Sequence, residues 1–157
     1  MKRIASYKLQ LVREGSHLYE TKTITGADDA TAILASWFKD EPYEHCTVMC
    51  LNIKGGVIAI QDISVGSSSA SVVEPRSVFA PAILHNAASI IVAHNHPSGV
   101  STPSEDDINT TRRLVEAGKI LNIPVLDHII IGIDTELKSS TSIRSLPKYK
   151  LIWKGII

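Results

Sequence analysis

The sequence predicts one α/β (α+β) domain in which helices flank a mixed β-sheet. The chain of 157 residues has the length of one ordinary domain, and 44% of its residues are hydrophobic, which is enough for a sizeable core. Runs rich in β-branched residues alternate with segments whose apolar residues recur at helical spacing. The sequence shows no internal repeat and no linker, so we expect the elements to share one core.

The first 41 residues predict a hairpin and a helix that belong to the same globular unit. Residues 8–12 and 18–24 alternate loosely between polar and apolar side chains on either side of a turn, as the strands of a hairpin do. Asp28 and Asp29 then precede apolar residues at a spacing of three to four. This spacing is typical of a helix, which we expect to end near Glu41 and Pro42.

The next hairpin is the clearest in the chain, because residues 46–53 and 57–65 are two β-rich runs about a Gly-Gly turn. Cys46 and Cys50 lie on one face of the first run but about 13 Å apart, so they cannot pair with each other. We expect two buried thiols in a reducing cytoplasm. A C-x-x-x-C metal site is the weaker alternative, because the chain has no further cysteine.

The remaining chain predicts alternating helices and strands. The expected elements are a short extended segment at 70–73, a helix from Pro75 through Ala87, a fully apolar strand at 89–93, a loop at 95–103, a helix from Ser104 that Pro124 stops, and a buried strand at 125–133. Ile108, Val115 and Leu121 form the apolar stripe of the helix that starts at Ser104. The basic tail 134–157 has no assigned structure.

Charge and hydropathy bear on the partners and the location. Lys plus Arg equals Asp plus Glu, 16 each, so no global excess indicates nucleic acid or a membrane surface. The end of the chain, from residue 137, has five bases and no acid; such a tail can contact a polyanion but is more often a solvated surface. No apolar run has the length of a signal peptide or a membrane span, so we expect a cytoplasmic protein without a membrane partner.

Three side chains between residues 94 and 107 have the spacing of a metal site. His94 and His96 form an H-x-H pair that extended backbone directs to one side, about 6.5–7 Å apart at Cα, which two bonds to one zinc can close. Asp107, from the first turn of the next helix, can supply a third bond and leave the fourth position for water. Taken alone, Ser104-x-x-Asp107 is more often a capping box, and the two roles can coexist. These ligands suit zinc, while manganese and iron stay open.

The same stretch resembles a known family motif. H-x-H-P, six further residues and S-x-x-D are similar to the JAMM (MPN/JAB) metalloprotease motif, and the segments HNHPSG, PSEDD and DHIIIG resemble the RadC family. The resemblance runs from about Pro42 to Ile133, and it implies that residues 42–133 make up the RadC-like JAMM/MPN domain. It implies a cytidine deaminase-like JAB/MPN architecture and a zinc site made of His94, His96 and Asp107.

The resemblance also implies a zinc-dependent hydrolase of the JAMM type, in which zinc-activated water attacks a peptide or isopeptide carbonyl. Glu44 occupies the place of the upstream glutamate of the motif, and it would take the proton of the water and deliver it to the leaving amine. Glu41 is the nearest competitor for this role and Glu74 the third choice. Ser104 would help to hold the water, or donate to the oxyanion if its hydroxyl faces the site.

Two other functions stay open beside the zinc metallopeptidase. One is a non-catalytic binding module of the JAB fold. The other is a DNA-associated RadC-like protein, against which the balanced charge and the missing N-terminal helix–hairpin–helix module of full-length family members both count. We expect a peptide or protein substrate as the partner, with nucleic acid only weakly supported.

Several polar residues receive plainer expectations. Either Asp127 or His128 could lie behind a metal ligand, or both could make structural hydrogen bonds, because adjacent strand residues face opposite ways. Asn95 could shape the substrate edge. His17, His45 and His85 are expected to be exposed.

Overall fold

A computed structural model of the chain describes residues 4, 5, 8, 11–16, 18, 23–39, 41–66, 73–132 and 139–143. Within them lie helices α1 (Ala27–Trp37), α2 (Pro75–Leu84) and α3 (Glu105–Leu121) and strands β1 (His45–Leu51), β2 (Val57–Val65), β3 (Ser89–His96), β4 (Val125–Gly132) and β5 (Ser139–Ser142). The strands form one sheet in the order β2-β1-β3-β4-β5. Only the pair β3 and β4 is parallel, so the predicted mixed sheet is confirmed.

Helices cover both faces of the sheet. Even-numbered residues of β1 and β3, such as Val48 and Val92, pack in one apolar cluster with α2 and α3. Odd-numbered residues of the same strands, such as Met49 and Ile91, pack with α1 on the other face. Because successive side chains of a strand point to opposite faces, a strand covered on both sides is apolar throughout, as the sequence of residues 89–93 predicted.

The hairpin of β1 and β2 is confirmed. Asn52 shapes its turn by accepting hydrogen bonds from the amides of Lys54 and Gly56 at 2.9 and 3.0 Å. Cys46 and Cys50 are unpaired and buried in the same cluster, as expected. Burial raises the pKa of the Cys46 thiol to about 12 and that of Cys50 to about 11.

Helix α3 begins at Glu105, with the predicted first residue Ser104 as its N-cap, and it ends for a different reason than predicted. Asn122 adopts a left-handed conformation, with φ of 55°, and its amide bonds back to the carbonyls of Gly118 and Lys119. The helix therefore stops before Pro124 can act. Leu121 is 42% exposed, so the predicted apolar stripe is wrong at its last position.

Other expectations meet the structure less completely. Strand β3 extends through His96, so the expected loop begins two residues later than predicted. Strand β5 pairs antiparallel with β4, in the tail to which the sequence assigned no structure. The predicted hairpin at 8–12 and 18–24 and the extended segment 70–73 lie mostly outside the described residues, and the described residues between 4 and 24 belong to no strand. Among the helices described, none is both long and apolar enough to cross a membrane.

Candidate metal centre

The candidate ligands meet at the edge of the sheet where β3 ends and β1 begins. The two strands are antiparallel with Cys46 opposite His94, so Glu44 lies beside the last residues of β3. The ligand atoms of Glu44, His94 and His96 all lie within 4.8 Å of one another. The sheet register thus brings together side chains that are about 50 residues apart in the chain.

Helix α3 adds a second carboxylate to this group. Asp107 Oδ1 lies 3.3 Å from His94 Nε2, and Asp107 Oδ2 lies 3.9 Å from His96 Nε2. The two Nε2 atoms are 2.9 Å apart. Asp107 and His94 are both buried. The structure therefore places Asp107 against both histidines, while the ligand atoms that are all mutually close belong to Glu44, His94 and His96.

Their hydrogen-bond chemistry fits a cation. His96 Nδ1 lies 2.7 Å from the carbonyl oxygen of Val100, which can only accept, so the ring hydrogen of His96 lies on Nδ1. A neutral His96 then directs an Nε2 lone pair toward His94 and Asp107. Burial, reinforced by His128, lowers the pKa of His94, which favours the neutral form that binds metals. Lone pairs and a carboxylate that converge in this way match a divalent metal.

Ser104 shows that the capping box and the metal-site motif coincide. Its hydroxyl donates to Asp107 Oδ2 at 2.7 Å and accepts from the Asp107 amide at 3.1 Å, and its own amide donates to Oδ2 at 2.7 Å. Two hydrogen bonds therefore hold Oδ2 at the helix end. Because the only hydroxyl hydrogen of Ser104 is used in this box, its predicted donation to an oxyanion would need the hydroxyl to turn, and it stays a prediction.

The geometry separates Glu44 from its two competitors. Glu41 Oε2 lies 3.0 Å from His45 Nε2, and Glu74 pairs with Arg76 at the start of α2. Partial burial raises the pKa of Glu44; His96 opposes the shift and Asp107 adds to it. A carboxylate with a raised pKa is better suited to accept a proton near neutral pH.

His45 was predicted to be exposed, and this was wrong. The side chain is buried because it lies between Glu41 and Asp62 of β2, whose Oδ2 is 3.7 Å from His45 Nδ1. Asp62 also accepts hydrogen bonds from Trp37 and Thr47 at 2.9 and 2.5 Å. Asp62 comes from another strand, so the sequence around His45 does not reveal this partner.

Asn95 has a structural role that sequence reasoning missed. Its side chain is fully buried on the face of β3 opposite to His94 and His96. Asn95 Oδ1 accepts from the His45 amide at 2.7 Å, and Nδ2 donates to the Tyr43 carbonyl at 2.8 Å. Asn95 therefore holds the backbone on both sides of Glu44.

Strand β5 holds the loop that follows His96. Ser139 Oγ donates to the carbonyl of Gly99 at 2.8 Å, and Ser101 Oγ lies 2.9 Å from Thr141 Oγ1. Gly132 lets the loop approach, because a Cβ there would collide with Gly99 and Ser139. The glycine at the end of the DHIIIG segment was the available sequence signal for this contact.

Of the two polar residues in β4, His128 is the one that faces the site. His128 Nε2 lies 2.9 Å from His94 Nδ1. Asp127 points to the other face, where it accepts from Ser142 Oγ at 2.5 Å and from the amide of His128 at 2.8 Å. The alternation along β4 thus assigns the position behind His94 to His128.

Comparison with known proteins gives the family. The profile of the RadC-like JAB domain matches residues 24–145. A UPF0758 protein of Caldanaerobacter subterraneus is 50% identical over 113 residues, which cover 72% of this chain and 48% of that protein. A UPF0758 protein of Methanococcoides burtonii is 45% identical over 111 residues, 71% of this chain and 48% of that protein. The chain spans about half the length of these relatives. It belongs to the RadC family and consists largely of that family's JAB domain.

Proposed function

We propose that the protein is a metal-dependent peptidase of the JAMM type, with zinc as its metal and a peptide or protein as its substrate. One observation carries the proposal: two imidazole Nε2 atoms and two carboxylates converge at one edge of the sheet. His94, His96 and Asp107 would hold the metal. A divalent cation bound there supplies Lewis-acid activation of water and of the scissile carbonyl.

The protein side chains have separate tasks in this reaction. Asp107 is buried and is held by the Ser104 cap, so it can offer Oδ1 without moving its backbone. Glu44 accepts the proton of the attacking water and returns it to the leaving nitrogen, a role worth about 10²–10⁴ in rate. Asn95 binds the backbone of Tyr43 and His45, and it thereby keeps Glu44 in reach of both the attacking water and the leaving nitrogen.

The same geometry allows a different division of the two carboxylates, with Glu44 as a ligand. Asp107 suits the ligand role better because it is buried and bonded in place, while Glu44 is partly exposed. The raised pKa of Glu44 also favours proton transfer over permanent coordination. Metal content of the two carboxylate variants separates these assignments.

The first test is metal content after dialysis against zinc. We expect about one zinc per chain in the wild type and in Glu44→Gln, and little in Asp107→Asn. Asp106→Asn is the matched control, because Asp106 is the exposed neighbour of Asp107 in the same helical turn. A wild type that binds no zinc would refute the proposal. Loss of zinc in Glu44→Gln but not in Asp107→Asn would reverse the carboxylate roles.

The second test is cleavage of a proteome-derived peptide library and of isopeptide-linked conjugates, with new amino termini counted by mass spectrometry. We expect the zinc-loaded wild type to produce new termini and Glu44→Gln to lose this activity by at least 10²-fold. Glu41→Gln, which alters the competing carboxylate, should keep it. Zinc binding without cleavage of any pool would favour the binding-module alternative instead.

A further inference from the structure

Behind the candidate metal site lies a chain of buried hydrogen bonds that the proposed reaction does not use. His94 Nδ1 lies 2.9 Å from His128 Nε2, and His128 Nδ1 lies 2.6 Å from Thr111 Oγ1. Thr111 Oγ1 in turn donates to the backbone carbonyl of Asp107 at 2.6 Å. All four residues are buried, so water does not compete for these bonds.

The number of hydrogens in this chain determines where each one lies. Thr111 has one hydroxyl hydrogen, and the Asp107 carbonyl can only accept, so this hydrogen lies between those two oxygens. Thr111 Oγ1 is then an acceptor toward His128, and His128 Nδ1 must carry the ring hydrogen. A neutral His128 has a lone pair on Nε2, which can only accept from His94 Nδ1.

We propose that Thr111 and His128 are positioning residues that fix His94 as the Nδ1–H tautomer, with its Nε2 lone pair directed at Asp107 and His96. A neutral imidazole otherwise has two tautomers, and only this one presents Nε2 to a metal. His96 is set in the same tautomer directly, by the Val100 carbonyl. The two ligands thus reach the same state by different routes.

The neutral state of His128 that this scheme needs agrees with its surroundings. The ring is buried, and its two nitrogens lie against His94 and Thr111, neither of which has a negative charge that would stabilise a protonated ring. A ring that stays neutral donates from one nitrogen only. The direction of every hydrogen bond in the chain therefore follows from the single hydroxyl of Thr111.

The tautomer is measured by ¹⁵N NMR of the histidine rings in the full chain after metal removal by chelation. We expect wild-type His94 to carry its hydrogen on Nδ1 alone. Thr111→Ser keeps the hydroxyl and should keep this tautomer. Thr111→Val keeps the shape but frees His128 to protonate Nε2, so we expect His94 to shift partly or fully to the Nε2–H form.

Zinc affinity gives the second readout, measured with Zn²⁺ alone in competition with a chelating dye. We expect Thr111→Val to weaken binding about 10–100-fold, the range found when partners behind a ligand are removed. Thr111→Ser should stay within about threefold of the wild type. Thr110→Val is the matched control, because it removes the hydroxyl of the adjacent buried threonine of α3.

The result that overturns the inference is wild-type His94 with its hydrogen on Nε2, which needs no variant to be folded. An unchanged tautomer and unchanged zinc affinity in folded Thr111→Val would do the same. The inference rests on the proposed function in one respect only, namely that the Nδ1–H tautomer of His94 serves to present Nε2 to a metal. The NMR readout is taken without metal, so a protein that hydrolyses no substrate can still confirm the tautomer inference. An active enzyme whose His94 carries its hydrogen on Nε2 would reject the positioning role and leave the proposed function standing.

Discussion

Replacing Asn95 with alanine should destabilise the protein by about 2–4 kcal/mol and loosen the segment that carries Glu44. The variant leaves the His45 amide without its acceptor and the Tyr43 carbonyl without its donor. A buried polar group without a partner costs about 1–3 kcal/mol. His45 is buried and takes the full cost, whereas Tyr43 lies near the surface, where water can replace the lost donor at a smaller cost.

The measurement is the free energy of unfolding in urea, with the metal removed, together with hydrogen exchange of the His45 amide. Exchange should speed up in Asn95→Ala because the amide loses its bond to Oδ1. Asn52→Ala is the matched control: that asparagine also makes two hydrogen bonds to the backbone, both as an acceptor, but in an exposed turn, so we expect a loss under about 1 kcal/mol.

Two results would contradict this reasoning. One is a loss of stability in Asn95→Ala no larger than in Asn52→Ala. The other is an unchanged exchange rate of the His45 amide, which would mean that the bond to Asn95 does not hold the start of β1. A stability loss without faster exchange would place the effect in packing rather than in the hydrogen bonds.

Two further predictions concern stability. Gly132→Ala should lower the free energy of unfolding by about 1–3 kcal/mol and weaken zinc binding, because its Cβ collides with the loop after His96 and with β5; Gly15→Ala, with open space around its Cβ, is the urea-unfolding control and should change little. Burial lowers the pKa of His128 to about 3 in the folded state, against about 6.5 in the unfolded state. Between these values only the unfolded state binds the extra proton, so the free energy of unfolding decreases as the pH is lowered. Lowering the pH from 7.5 to 5.5 therefore costs the metal-free protein on the order of 1 kcal/mol; His128→Gln should show a correspondingly smaller loss in urea titrations, and an equal loss would refute the assignment.

Local patterns were sufficient to indicate which residues could bind a metal. Because side chains alternate along a strand, H-x-H in extended backbone places His94 and His96 on one side. Because Ser104-x-x-Asp107 is a capping box, the same three-residue spacing brings the Asp107 carboxylate to the start of α3. Both arrangements depend on neighbours within a few residues, so the sequence contains all the information they need.

The missed features have partners that are distant in the chain. His45 is buried by a carboxylate of β2, and Asn95 binds residues about 50 positions earlier. Strand β5, with the sequence SSTS, has no apolar alternation to reveal it, since only its register with β4 makes it a strand. Nothing local in these segments indicates such contacts.

The sequence by itself determined the α/β fold class, most of the strands and helices, the family and the residues that could bind a metal. These follow from side-chain periodicity and from motifs in which every residue is near its neighbour in the chain. Only the tertiary structure decided that Glu44 rather than Glu41 faces His94 and His96, that His128 rather than Asp127 lies behind His94, and that Asn95 holds the start of β1. The physical reason is that sheet register determines which distant side chains share a buried space, and a shift of one residue would turn each of them to the other face.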